Sequence, residues 1–455
     1  MRFTFLCVTD PDDLTFGRAP TPVDCGLGLR IGAGTVFPEV NFTLPAMTLD
    51  ESTRAETLRI YEDTARAVVV RATALHAPGL VMEFEHLPPM TETPEWGAEI
   101  TQRLASVLRD AHAATGLPCA LRVTPVDVRG GGRPPQLRTG GGWEAVRESF
   151  VLCADAGADI LSIESIGGKE VSDEALLSGD IEGLVLALGV LAPRDMAWLW
   201  DEIVAIAQSR CIVAGGDAAC GFANTAMQLA HQKLLPETLA AVVRAMGAAR
   251  SLVAFERGAV GPSKDCAYEG PVLKAIAGCP VSMEGKAAAC AHFSPVGNIA
   301  ASMCDLWSNE SVQQVRLLSG SAPEAFAEVL IYDCRLMNEA LQRGKEKTLR
   351  DLLVSSDAYK SPQALVLSPQ AAVAIGSAIV SESDDYRRTV KAGQAAATLI
   401  REAVDASLLS LSGPESRWLD RIQTALAGLP REESELRERL APTYDHLYEP
   451  ASYGL

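Results

Sequence analysis

The sequence predicts an α/β protein built as a (β/α)8 barrel, with an N-terminal extension and a C-terminal helical appendage. Short apolar runs alternate with longer helical patterns between about residues 28 and 335, as expected for parallel β-α units with buried strands. About eight such units fit into this length, which is the number that closes a barrel. No GxGxxG follows the first predicted strand, which counts against an open dinucleotide-binding sheet.

Short apolar segments are predicted to form the barrel strands, and residues after about 340 are almost wholly helical in pattern. We therefore divide the chain into an extension (1–27), a barrel domain (28–340) and a helical segment (341–455). The predicted strands, in order, are Leu29–Gly34, Leu80–Leu87, Pro118–Pro125, Asp159–Ser165, Arg210–Asp217, Ser251–Arg257, Cys279–Gly285 and Val312–Gly320.

The charge of the chain restricts its partners. The chain has 40 Lys and Arg against 58 Asp and Glu, a net charge of -18, and an acidic surface repels the phosphates of nucleic acids and anionic membranes. The N-terminus lacks the long apolar core of a signal peptide. The most apolar stretch, Leu184–Ala192, is too short to span a bilayer. We therefore expect a cytoplasmic protein that binds neither nucleic acid nor membrane.

Three residues that can bind a metal follow consecutive predicted strands. Glu164 ends the fourth strand, Cys220 follows the fifth and Cys266 follows the sixth. Because the C-terminal ends of neighbouring strands converge in a barrel, one carboxylate and two thiolates can reach one ion. Two thiolates favour Zn²⁺, and three protein ligands leave one tetrahedral position open, as in catalytic zinc sites. The alternative is that each cysteine is a buried core thiol and that Glu164 belongs to an ion pair.

Four segments of the chain resemble the zinc-bearing methyltransferase subunit of methanol:corrinoid methyltransferase systems. The resemblance extends over essentially the whole chain. It implies a TIM barrel in which Glu164, Cys220 and Cys266 bind zinc, and a small partner protein that carries a cobamide cofactor. It also implies a homodimer or a heterotetramer with that corrinoid protein. The segments are "VFPEVNFTLPAM" (36–47), "SIESIGGKE" (162–170), "GGDAACGFANTAMQLA" (215–230) and "GPSKDCAYEGP" (261–271).

The resemblance implies that zinc polarises the C–O bond of methanol and that cob(I)alamin on the partner attacks the methyl carbon, giving a methyl-Co(III) corrinoid and water. Zn²⁺ with one carboxylate and two thiolates carries a net charge of -1, which weakens its Lewis acidity. We therefore expect an acid that protonates the departing oxygen. Asp180, after the fourth strand, and Asp217, near Cys220, are the candidates. A helix N-cap role for Asp180 and a turn role for Asp217 are the alternatives.

Other polar residues near the predicted strand ends have less specific interpretations. His86 and His292 are expected to be polar groups at the barrel rim. Lys169 and Lys264 are expected to be solvated loop residues, or to meet an acidic partner or a corrin side chain. Asn41, after the first predicted strand, either faces the pocket or serves a turn.

Other functions remain open at this point. The same chemistry could act on another methyl donor, such as a methoxylated aromatic compound. A zinc barrel hydrolase or lyase is a second alternative, although many such hydrolases use several histidine ligands and this chain has six histidines and no HxH motif. A non-enzymatic scaffold that binds a corrinoid protein is the third.

Overall fold

The computed structural model describes the whole chain except residue 265 and residues 288–294, 313–315 and 318–319. An N-terminal hairpin of β1 (Arg18–Cys25) and β2 (Leu29–Ala33) precedes the main sheet. The main sheet is parallel throughout and is ordered β7-β6-β5-β4-β3-β9-β8. Its strands are β3 (Phe37–Thr43), β4 (Leu80–Glu85), β5 (Cys119–Thr124), β6 (Ile160–Ile163), β7 (Val213–Asp217), β8 (Ser282–Glu284) and β9 (Leu306–Val312).

Residues 260–263 close this sheet into a barrel. The Val260 amide donates to the Ala214 carbonyl of β7 over 2.9 Å. On the other side, the Ser263 amide donates to the Pro280 carbonyl over 3.1 Å, and Ser263 forms a parallel bridge with Val281 immediately before β8. The segment thus occupies the sixth position between β7 and β8. The predicted eight-membered α/β barrel is confirmed.

Helices cover the outside of the barrel and form the C-terminal region. Between strands they are α1 (Arg54–Ala74), α2 (Pro88–Glu92), α3 (Pro94–Thr115), α4 (Gly141–Ala156), α5 (Lys169–Ser178), α6 (Ile181–Leu186), α7 (Ala192–Ser209), α8 (Cys220–His231), α9 (Glu237–Arg257), α10 (Gly270–Ala277) and α11 (Gly297–Ala301). After the short β10 (Arg316–Leu317) and β11 (Gly320–Ser321) come α12 (Ala322–Gln342), α13 (Glu346–Asp357), α14 (Pro362–Val366), α15 (Pro369–Val380), α16 (Asp385–Asp405), α17 (Gly413–Ala427) and α18 (Glu433–Tyr444).

Three of the eight predicted barrel strands are wrongly assigned. Leu29–Gly34 corresponds to β2 of the antiparallel hairpin, because a short apolar run fits either kind of strand; the first barrel strand is β3. Ser251–Arg257 is the end of α9, whose residues 238–256 are all buried, so the sequence there lacks the polar face that marks a helix. The predicted strand Val312–Gly320 shares only Val312 with β9, and part of it lies outside the described residues.

The hairpin β1–β2 packs against the amino-terminal end of the barrel strands. Leu27, in its turn, donates from its amide to the Cys119 carbonyl over 2.7 Å. Hairpin residues and inward-facing strand residues form one apolar cluster, which fills this end of the barrel. Its members are Cys25, Leu29, Ile31, Phe37, Val81, Ala120, Ile160 and Leu306.

Within the part of the chain that the structure describes, two helical segments are long and apolar enough to cross a membrane by length and composition. They are Ile181–Ser209 and Glu237–Arg257, and 83% and 100% of their most apolar windows are buried. The C-terminal helix α16 packs along α9 and supplies part of this cover. The apolar surface of both segments is therefore used in packing within the protein.

Candidate metal centre

The structure brings the three predicted ligands together at the carboxyl end of the barrel strands. Glu164 follows β6, Cys220 begins α8 after β7, and Cys266 follows the sixth position of the barrel. One carboxylate oxygen of Glu164 and the two sulfurs all lie within 4.8 Å of one another. The Cys266 thiol donates to Oε1 of Glu164 over 2.7 Å. The sequence predicts that the three ligands converge because they follow neighbouring strands. The closed barrel places these three strand positions side by side.

A buried network fixes the loop that follows Glu164. Arg250 donates from Nη2 to the carbonyl of Ser165 over 2.8 Å and to its hydroxyl over 2.6 Å. Asp217 accepts from the Ser165 amide at 3.2 Å, from Arg250 Nη1 at 2.9 Å and from the Trp200 indole at 3.0 Å. Both oxygens of Asp217 are therefore engaged in holding the Glu164 loop.

The turn before Cys220 is held in a similar way. Gly216, near the end of β7, has a φ of 148°, a backbone conformation that residues with a Cβ rarely adopt. Glu269 accepts from the Ala219 amide and from the Ser251 hydroxyl, each over 2.7 Å. Burial raises the pKa of Glu269. Its carboxyl group thus anchors the residue that immediately precedes Cys220.

Both thiols of the cluster have raised pKa values. The hydrogen bond with Cys266 lowers the pKa of Cys220, but burial and the charges of Glu164 and Glu284 outweigh it and raise that pKa to about 12. The pKa of Cys266 lies well above its usual value because of burial, the hydrogen bond with Cys220 and nearby negative charge. A divalent cation that binds here must therefore displace two protons.

Lys264 is a buried member of the site, so the expectation of a solvated loop lysine is wrong. Its side chain is 2% exposed. Its Nζ lies 2.8 Å from Oε1 of Glu83, 3.5 Å from Oε2 of Glu85 and 3.8 Å from Oε1 of Glu164. Asn41, on β3, donates to Oε2 of Glu85 over 2.9 Å and belongs to the same polar group. This set of contacts places one ammonium among three carboxylates beside the thiols.

Four polar residues of this site were not identified from the sequence, and they are Glu83, Glu85, Tyr268 and Glu284. Glu83 and Glu85 alternate along β4 and so share its inward face. Acidic residues are unusual in a buried parallel strand. The two glutamates within "LVMEFEHL" could therefore have been recognised as candidate site residues. Tyr268 has a φ of 57° and donates to Oε2 of Glu284 over 3.4 Å. No local pattern identifies that second pair, because the two residues belong to different barrel positions.

Asp180 lies away from the cluster. Its Oδ1 accepts from the Glu182 amide over 3.0 Å at the start of α6, and the Tyr444 hydroxyl donates to its Oδ2 over 2.8 Å. The ten residues of α5 separate it from the Glu164 loop, a helical length of about 15 Å. The structure therefore gives Asp180 the contacts of a helix N-cap.

The structure also shows the surroundings of His86 and Lys169, two residues singled out in the sequence. His86 is 1% exposed and pairs through Nδ1 with Thr91 Oγ1 over 3.1 Å. Burial lowers its pKa to about 3, so it is a neutral core residue and not a rim group. His292 lies outside the described residues. Lys169 forms an ion pair with Asp173 one turn along α5.

Comparison with known proteins identifies the family. The family model described as "Methanol-cobalamin methyltransferase B subunit" matches residues 1–454. The chain belongs to this family. A curated methanol–corrinoid protein co-methyltransferase of Methanosarcina barkeri (strain Fusaro / DSM 804) is 39% identical, over 100% of this chain and 99% of the relative. The family membership includes the helical C-terminal region as well as the barrel.

A solved structure of a family member agrees in fold over the full length. It is the methanol:cobalamin methyltransferase complex MtaBC from Methanosarcina barkeri, and the matching chain is 38% identical. The TM-score is 0.96, with 100% of both chains covered. The barrel, the hairpin and the C-terminal helices therefore form one arrangement shared within the family.

Proposed function

We propose that this protein transfers the methyl group of methanol to the cobalt of a corrinoid that a partner protein carries. Methanol, one proton and the Co(I) corrinoid give the methyl-Co(III) corrinoid and water. The observation that carries the proposal is the Glu164–Cys220–Cys266 cluster at the barrel mouth of a chain that belongs to this family over its full length. The proposal includes a cytoplasmic location and a homodimer or a heterotetramer with the corrinoid protein.

The donor set fits a zinc ion. Bond lengths of about 2.3 Å to sulfur and 2.0–2.2 Å to oxygen put tetrahedral donor atoms roughly 3.5 Å apart, which is compatible with donors that already lie within 4.8 Å. Two thiolates and one carboxylate select Zn²⁺ over Mg²⁺ or Ca²⁺. Zinc held by Glu164, Cys220 and Cys266 would supply Lewis acidity at the methanol oxygen.

The residues beside the cluster can supply the proton that the departing oxygen needs. The Lys264 ammonium carries protons, and its Nζ lies 3.8 Å from Oε1 of Glu164 and 3.5 Å from Oε2 of Glu85. The Glu85 side chain is 32% exposed, so water can reach its carboxyl group. We assign the proton supply to this pair. Asp180 and Asp217 stay as candidates to be tested, but the contacts of their carboxylate oxygens favour structural roles.

One experiment tests the proposed function. The purified chain is analysed for metal and is then mixed with cob(I)alamin and one methyl donor at a time, while the absorption spectrum is followed. We expect about one zinc per chain and formation of methylcobalamin with methanol. If methylcobalamin forms only with a methoxylated aromatic compound, that compound and not methanol is the substrate. Protein with full zinc and no transfer from any donor would favour a hydrolase or lyase, and protein without zinc would favour the scaffold.

A further inference from the structure

We propose that Asn224 is a positioning residue that donates a hydrogen bond to the thiolate of Cys220 and thereby limits the negative charge that this sulfur gives to the metal. The inference rests on the proposed function, since it concerns the same site. It adds a residue from α8 that contributes no ligand atom and acts through the cysteine.

The helix geometry places the amide against the sulfur. Cys220 is the first residue of α8, and Asn224 follows four residues later, so the two side chains lie on the same face of the helix. The distance from Nδ2 of Asn224 to Sγ of Cys220 is 3.1 Å. A thiolate only accepts hydrogen bonds, which requires the amide nitrogen and not its oxygen to face the sulfur.

The fold gains little from an asparagine at this position. Asparagine is a weaker helix former than alanine, which occurs nearby in α8 at Ala223 and Ala226. Asn224 is 9% exposed. Its Oδ1 is buried without a hydrogen-bond partner among the residues that the structure describes, and an unsatisfied buried acceptor costs free energy. The contact with Cys220 is therefore the interaction that the side chain provides.

The chemistry of the site gives this contact a role. A carboxylate and two thiolates exceed the charge of a divalent cation by one, which weakens Lewis acidity at the open position. Hydrogen bonds to charged acceptors are roughly twice as strong as neutral ones, and the amide draws electron density away from the sulfur. The same bond lowers the nucleophilicity of the thiolate, so that Cys220 competes less well for the methyl group.

The test replaces Asn224 with leucine, which is similar in size and has no donor. Two readouts need no methyl transfer: the sulfur-to-metal charge-transfer band of the Co²⁺-loaded protein, and the rate at which iodoacetamide alkylates Cys220 in the zinc-loaded protein. We expect Asn224→Leu to keep one metal per chain, to shift the band to longer wavelength and to raise the alkylation rate about tenfold.

Thr225→Val is the matched control, because Thr225 lies on the same helix and its hydroxyl donates to the Gly221 carbonyl over 2.8 Å. It should change neither readout. Asn224→Ala, which favours the helix, repeats the measurement if the leucine variant does not fold. An unshifted band and an unchanged alkylation rate in metal-loaded variants would overturn the inference. Metal-loaded wild type that transfers no methyl group would defeat only the proposed function, whereas wild type that binds no metal would defeat both.

Discussion

At the amino-terminal end of the barrel, Ile31 of the hairpin packs among apolar strand residues such as Val81 and Ile160. At the carboxyl end, Lys264 lies among carboxylates and next to two thiols. The first arrangement removes apolar surface from water and stabilises the fold. The second keeps charges and protonated thiols close together, which stabilises the fold little and gives the site its reactivity. The difference indicates that substitutions at the amino-terminal end should change stability, whereas substitutions at the carboxyl end should change metal binding.

A buried ion pair separates the two ends. Arg122, on β5, donates to Glu39 of β3 over 2.6 Å, to the Ser162 hydroxyl over 2.8 Å and to the Pro262 carbonyl over 3.1 Å. Both charged side chains are 0% exposed. This layer connects the first, third, fourth and sixth positions of the barrel. It allows the mouth above it to be polar without opening the apolar end to water.

The largest expected effect comes from removing a sulfur ligand. Cys220→Ala and Cys266→Ala should each abolish most metal binding and reduce methyl transfer by at least about 10³-fold, and the double variant should be scarcely worse, because residues that hold one ion act as a unit. Metal content, melting temperature and rate are measured on each protein. Cys334→Ala removes a buried thiol of α12 and should keep full metal. Full metal in either site variant would refute the shared centre.

The next largest effect concerns pH. The pKa of Cys220 is raised to about 12 and that of Cys266 lies well above its usual value, so both thiols are protonated in the metal-free protein at neutral pH. Because binding releases two protons, the apparent affinity for Zn²⁺ should rise up to about 100-fold for each pH unit between pH 6 and 8. Competition with a chelator of known affinity measures this slope. A slope near zero would mean that neither sulfur binds the metal as a thiolate.

A substitution at the amino-terminal end of the barrel should lower stability without changing metal binding. Ile31 is 0% exposed in the hairpin cluster, so Ile31→Ala should lower the free energy of unfolding by about 3 kcal/mol. Metal content and the rate per bound metal should not change. Val329→Ala, at a position 52% exposed on α12, should cost less than about 0.5 kcal/mol. Loss of metal in the Ile31 variant before unfolding would show that the two ends are coupled.

The smallest expected effect distinguishes the roles of Asp180. Asp180→Asn keeps a side-chain oxygen for the Glu182 amide, so the rate and the melting temperature should stay close to wild type. Asp180→Ala should lower stability by about 1 kcal/mol without a specific loss of rate. If Asp180 were the acid, the asparagine variant would lose about 100-fold in rate at unchanged stability.

The sequence alone determined the alternation of strands and helices, the helical C-terminal region and the identity of the three converging donors, because local periodicity and residues at strand ends carry that information. Only the tertiary structure decided the sixth barrel position, since α9 is buried on every side and its sequence therefore has no amphipathic pattern. It also decided that Lys264 is buried among carboxylates while Asp217 and Asp180 hold backbone amides. Burial and partners of a charged side chain depend on segments far apart in the chain, and no spacing within one segment encodes them.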